Sequence, residues 1–291
     1  MWRVIWRPFS LVLVLSFVFL GQTLCAKNKI SSDYGWSMTP GQLLVKIKCG
    51  WNLGNTLEAA TVTNYETNWG APVTTQAMID AIRAKGFRAI RIPISYSKTV
   101  DKVTLKIPAA QLLRLKQVVN YCLKDHLFVI IDSHHDNAAN DDYCNFYDMG
   151  SKYRTQTSIY TKAIWKQIAE YFKDVDYHLI FEGFNEPLAS KGETEGAYKA
   201  NMWSYDASNE ADNNLIKNVM AANQIFVNTV RATGGNNYKR FLMVPATSAN
   251  SGYTLSALFD IPKDSCRYPN HILVSVHDYA PNDMSLNGTD S

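Results

Sequence analysis

Leu127-Phe128-Val129-Ile130-Ile131 runs apolar without a break and then gives way to Asp132-Ser133-His134-His135. A strand with one wet face alternates apolar and polar residues. An unbroken run of this length therefore reads as a strand buried on both faces, the kind that parallel sheets contain. Working outward from this run, Leu127–Ser133, further strands are expected at Lys46–Trp51, Phe87–Pro93, Tyr177–Phe184, Arg240–Pro245 and His271–His277. Between them, Ala77–Ala84 and Gln111–Leu123 carry apolar residues at three- and four-residue spacing, as helices lying on a sheet do. Thr74, Thr75 and Thr157 are the expected caps, and Gly86 and Gly234-Gly235 the expected stops. Strands alternating with helices give an α/β fold around a parallel sheet.

Polar residues gather just past the strands: Asn52 and Asn55, Arg91, His134 and His135, Asn185 and Glu186, His277 and Tyr279. In a (β/α)8 TIM barrel these strand ends share one face, which is where such barrels carry chemistry. A doubly wound sheet also binds ligands at its carboxyl edge. No Gly-rich phosphate loop follows any strand here, so no dinucleotide cofactor is expected. About six βα units are legible where a closed barrel needs eight, so the barrel is expected to be incomplete.

The fourth strand ends in Phe181-Glu182-Gly183-Phe184-Asn185-Glu186-Pro187. Pro187 has no N–H and holds Glu186 in extended backbone, which stops the strand and stands Glu186 at the rim as a candidate proton donor. The plainer reading, a carboxylate paired with an arginine, goes to Glu182, which shares strand parity with Glu186 and is matched to Arg91. His134-His135 suggests a metal. Adjacent strand residues face opposite ways, however, and no third ligand is spaced for zinc, so no metal is expected. The loop Asp136–Asp142 and the pair Asn209-Glu210 read as solvated.

Met1–Arg7 is short and basic, Leu11–Leu20 is apolar except for Ser16, and Gly21–Ala26 is mostly small or polar. This reads as a signal peptide over residues 1–26 of a secreted, extracellular protein, with the catalytic domain over 27–291. The apolar run is too short for a membrane span, which needs roughly 20 residues. Cleavage removes Arg3 and Arg7 and takes the net charge from +3 to +1, with no basic run suited to nucleic acid. Cys49, Cys122, Cys144 and Cys266 then remain, as free thiols or as one or two disulfides. Asn287-Gly288-Thr289 is a glycosylation sequon.

These motifs in this order resemble glycoside hydrolase family five, and within it the secreted endo-acting cellulases. The likeness is carried by Gly50-Trp51-Asn52-Leu53-Gly54-Asn55-Thr56-Leu57-Glu58, Trp69-Gly70, Gly86 to Ile94, Asp132 to His135, Phe181 to Pro187 and His277-Asp278-Tyr279. The resemblance implies a (β/α)8 barrel and retaining cleavage of β-1,4-linked glucans by two carboxylates. By the same resemblance, Glu186 is the general acid/base, Asn185 binds the sugar 2-OH, and Arg91 lies under the site and keeps the nucleophile ionised. His134, His135, Asn55 and Trp69 bind substrate or support the site, and Tyr279 beside His277 donates to the nucleophile. The family's nucleophilic glutamate is expected beyond the last residue; Asp283 and Asp290 are poor substitutes.

Retaining hydrolysis needs one protonated carboxyl and one ionised carboxylate about 5 to 5.5 Å apart, so Glu186 is expected to be kept protonated by burial and by its partner's charge. Trp69, Tyr143, Tyr147 and Trp203 are candidate stacking platforms for sugar rings. A β-glucan is thus the expected partner of an expected monomer, and this chain alone is expected to be inactive. The rivals are a mannanase, xyloglucanase or mixed-linkage glucanase on the same scaffold, or a non-catalytic glycan-binding remnant.

Overall fold

The structure is a computed structural model and describes residues 35–136, 146–189, 194–195, 198–199 and 203–279. The expected signal segment, Tyr143, Cys144, the loop from 137 and the tail with Asp283, Asn287 and Asp290 lie outside the described residues. The chain divides into Met1–Met38, described only as a turn at residues 35–37, and Thr39–Ser291, which holds every described helix and strand.

Six strands form one all-parallel sheet: β1 (Gly50–Asn52), β2 (Ala89–Ile92), β3 (Phe128–Asp132), β4 (Leu179–Glu182), β5 (Leu242–Pro245) and β6 (Ile272–Ser275). They lie in the order of the chain, as βα units of a barrel do. The sheet is not closed: β1 and β6 are each paired on one side only among the described residues. A two-residue ribbon, Thr194–Glu195 with Tyr198–Lys199, sits between β4 and β5 in sequence.

Helices α1 (Pro40–Ile47), α2 (Gln76–Ala84), α3 (Ala109–Lys124), α4 (Arg154–Tyr171), α5 (Glu210–Ala232) and the short α6 (Ser251–Thr254) complete the list. Alternate strand positions Ile90, Ile92, Val129, Ile131, Leu179, Phe181, Leu242 and Val244 pack on Ile79, Val118, Ile164, Trp165, Phe226 and Val227 from the helices. The intervening positions carry Asn52, Arg91, Asp132, Glu182 and Ser275 to the other face.

Gly183 is required where β4 ends. A Cβ there would come within 2.8 Å of the Phe226 ring, while Trp165 Nε1 donates to its carbonyl at 3.0 Å. At the amino end of the sheet the fully buried Arg240 lies 4.8 Å from the Phe181 ring centre. It donates to the carbonyls of Phe172, Val175, Asp176 and Leu179, tying β4 to the end of α4.

Four expectations are corrected. Lys46 is helical, because Thr39 and Gln42 form a capping box with Pro40 at the first turn, so β1 begins only at Gly50. Thr75 caps α2, but Thr157 lies inside α4, where its hydroxyl donates to the Asp148 carbonyl. Tyr147 is 2% exposed and wedged edge-on between Tyr160 and Phe184, which leaves no face for a sugar. Asn209-Glu210 is not a solvated loop. Asn209 Oδ1 accepts the Ala211 N–H at 3.0 Å and starts α5, with Glu210 and Asp212 in the first turn and Arg231 in the last complementing the helix dipole. Asn209→Ala should therefore lower stability by about 1 kcal/mol, read as a fall in the urea midpoint at constant slope.

Candidate active site

The strand ends converge on a cleft of about 580 Å³ lined by Asn52, Arg91, His134, His135, Glu182, Asn185, Glu186, Met243, Ser275, His277, Asp278 and Tyr279. At its floor Arg91 acts as a hub. Its Nε donates to Glu182 Oε2 at 2.7 Å, and Nη2 donates to Asp132 Oδ2 at 2.6 Å and to Asn185 Oδ1 at 2.9 Å. Nη1 reaches Asn52 Oδ1 at 3.3 Å. Both carboxylates are fully buried, so a planar fork with five donors suits the position better than a lysine. The other oxygen of Glu182 accepts from the Ser275 hydroxyl at 2.8 Å.

His134 Nδ1 lies 2.7 Å from Asp132 Oδ2. Burial alone would lower its pKa, but the Asp132 charge and hydrogen bond outweigh that and raise it. Next to it, burial and the charge of His134 push His135 down to about 4. The two adjacent histidines are thus shifted in opposite directions. The His135 ring stands 5.4 Å from that of Trp69, which is 43% exposed.

Glu186 is half-buried at the rim. Its Oε1 is 2.7 Å from His277 Nδ1 and 3.3 Å from the Tyr279 hydroxyl, which donates to it. Burial raises the carboxyl pKa, yet His277 and Tyr279 outweigh burial and hold it below the ordinary range. The Tyr279 phenol is pushed up by burial and by the Glu186 charge, so it stays protonated as the donor. Burial alone therefore does not keep Glu186 protonated, and Tyr279, expected to donate to a second carboxylate, donates to this one.

Asn55 is exposed in a turn with φ 59° and does not line the cleft; Asn52 from the same motif does. Trp203 is exposed, and its carbonyl accepts from Asn250. The sequence reading gave no role to Asp132, although it closes β3 in register with Glu182, a pairing that strand parity could have revealed. Among the described residues no three His, Cys, Asp or Glu side chains group to hold a metal ion, and no helix is long and apolar enough to cross a membrane. Cys49, Cys122 and Cys266 carry free thiols.

The ion pairs set a pH window. Asp132 is buried, which raises its pKa, but Arg91 and His134 lower it, so its contribution is present above about 3.9 and lost as pH falls through the lower folded value. His134 is shifted upward, so its contribution is full below about 6.5 and lost as pH rises through its higher folded value. The thermal midpoint should peak between these limits, and His134→Asn should flatten the fall on the alkaline side.

Residues 54–291 match the family described as Cellulase (glycosyl hydrolase family 5). Endoglucanase A of Ruminococcus albus is 37% identical over 249 residues, covering 84% of this chain and 62% of that protein. Two solved structures align with it. One is a family 5 lichenase from Caldicellulosiruptor sp. F32, solved as a mutant with cellotetraose, at 39% identity and TM-score 0.74, covering 83% of this chain and 63% of that one. The other is PbGH5A from Prevotella bryantii B14, solved as a mutant with a xyloglucan tetradecasaccharide, at 32% identity and TM-score 0.75, covering 88% and 71%. The chain spans about three fifths of the curated relative's length. With the six-strand sheet and the cleft at its carboxyl edge, these matches make the chain a member of glycosyl hydrolase family 5.

Proposed function

We propose that this chain carries the proton-donor side of a secreted, retaining endo-β-1,4-glucanase acting on cellulose or a related β-glucan. The supporting observation is Glu186 at the rim of the cleft, beside Asn185 and bonded by His277 and Tyr279, with Arg91, His134 and His135 lining the same space. Glu186 would protonate the leaving oxygen, and Asn185, oriented by Arg91, would hold the neighbouring hydroxyl. The leader at residues 1–26 suits a catalyst for a polymer that cannot enter cells. A mixed-linkage or xyloglucan substrate is the second reading, favoured by the solved relatives described as a lichenase and as a xyloglucan complex.

On its own the chain binds glucan without turning it over. Retention needs a second carboxylate to attack the anomeric carbon. The other cleft carboxylates are Glu182, committed to Arg91 and Ser275, and Asp278. Calorimetry with cellotetraose, alongside reducing-sugar release from carboxymethyl-cellulose, lichenan, xyloglucan and mannan, tests both parts. Binding without release is expected. Release that disappears in Glu186→Gln would uphold the proton donor and overturn the inactivity, and absence of binding would overturn the reading.

A further inference from the structure

The loop that runs from β1 to α2 is tied down by two side chains to which the reading above gives no task. Glu66 is 5% exposed and accepts on both oxygens: Oε2 takes the Arg114 Nε donor at 2.7 Å, while Oε1 takes Arg114 Nη2 at 3.0 Å and the Thr74 N–H at 2.7 Å. Arg114 Nη2 also donates to the Thr74 carbonyl at 2.7 Å, so one guanidinium on α3 fastens the loop at both Glu66 and Thr74. The chain around Glu66 is folded back tightly. Asn64 Oδ1 accepts the N–H groups of Glu66 and Thr67 at 3.0 and 2.9 Å, and its Nδ2 donates to the Thr67 hydroxyl at 2.8 Å. The Gly70 N–H then donates to the Thr67 carbonyl at 3.0 Å, with Gly70 at φ 85°. Trp69 sits in this last turn, and its ring stands 5.4 Å from that of His135, which lines the cleft.

We propose that Glu66 and Arg114 are positioning residues for glucan binding: their paired hydrogen bonds hold the β1–α2 loop on α3 and thereby set the Trp69 ring beside His135, extending the cleft by one aromatic face. A planar guanidinium giving two parallel donors fixes a carboxylate in direction as well as distance, which a lysine cannot do. Removing one partner of such a buried pair leaves the other desolvated and alone, whereas removing both charges together carries no such penalty. Stability and ring placement can therefore be separated. That the ring meets a sugar rests on the reading of the cleft as a glucan-binding site; that the ion pair places the ring does not.

The test compares the 291-residue protein with Arg114→Met, Arg114→Lys and the double variant Glu66→Gln/Arg114→Met. Two quantities are read: the proton NMR contact between the Trp69 and His135 rings, and the affinity for cellotetraose by calorimetry. Arg114→Met should lose the ring contact and weaken binding roughly three- to tenfold, the worth of one aromatic partner. The double variant should regain most of the thermal midpoint but neither the contact nor the affinity, and Arg114→Lys should keep part of each. In a Trp69→Ala background, Arg114→Met should weaken binding no further. A ring contact kept in the double variant would overturn the proposal, as would equal weakening by Arg114→Met with and without Trp69. Should Arg114→Met not fold, the double variant decides alone. Absence of cellotetraose binding by the unsubstituted protein would sink the functional reading, and the ring contact would still decide the placement.

Discussion

Arg91→Ala is expected to cost about 3–5 kcal/mol of folding stability, the range found when one partner of a buried ion pair is removed and the other is left behind. Asp132 would keep His134 at 2.7 Å, whereas Glu182, fully buried, would retain only the Ser275 hydroxyl. The pH dependence separates this cause from simple loss of packing. Glu182 without a cation is a desolvated carboxylate whose folded pKa rises above the unfolded value. Its penalty is then present at neutral pH and relieved as pH falls and the group takes up a proton. Chemical denaturation should find Arg91→Ala gaining stability relative to the unsubstituted protein on going from pH 8 to pH 5. Arg91→Lys keeps the charge but cannot span Glu182, Asp132, Asn185 and Asn52 together, so its loss should be smaller and its pH trend weaker. A loss independent of pH would assign the hub to packing alone.

Arg91 also shows how far the sequence could be read. The run Leu127 to Ile131 and its five counterparts placed all six strands, since helix-facing positions had to be apolar wherever the sheet lay. The ends were less legible. Ile47 and Lys48 look like strand residues until the capping box at Thr39 is weighed. The Arg91–Glu182 pair followed from strand parity, because both residues point to the inner face. Asp132 was open to the same parity argument, since it lies in register with Glu182 and bonds Arg91 as well as His134. Tyr147 was misread as a platform because loop position does not reveal burial, which here is set by Tyr160 of α4 and Phe184 after β4. The charge of Glu186 could not be read at all, for it depends on His277 and Tyr279, more than ninety residues away.

That charge underlies the second large effect. Release of reducing sugar by the 291-residue protein is expected at least ~10³-fold below that of an enzyme with both carboxylates in place, since proton donation and nucleophilic attack act as a unit in such sites. Two causes combine. Among the described cleft residues Glu182 is held by Arg91 and Ser275, which leaves Asp278 as the only other carboxylate beside Glu186. The proposed donor is itself ionised, because His277 and Tyr279 keep the Glu186 carboxyl below its ordinary range. The two causes are linked. A second carboxylate about 5 to 5.5 Å away would disfavour the Glu186 anion and compete for the Tyr279 hydroxyl, raising the donor's pKa toward the value that acid catalysis needs. Lowering the pH to protonate Glu186 therefore should not restore turnover in this chain, since it supplies the proton and not the attacking group. A bell-shaped rate profile on lichenan or carboxymethyl-cellulose, abolished by Glu186→Gln, would show instead that a carboxylate of this chain does attack, with Asp278 the first to be replaced in turn.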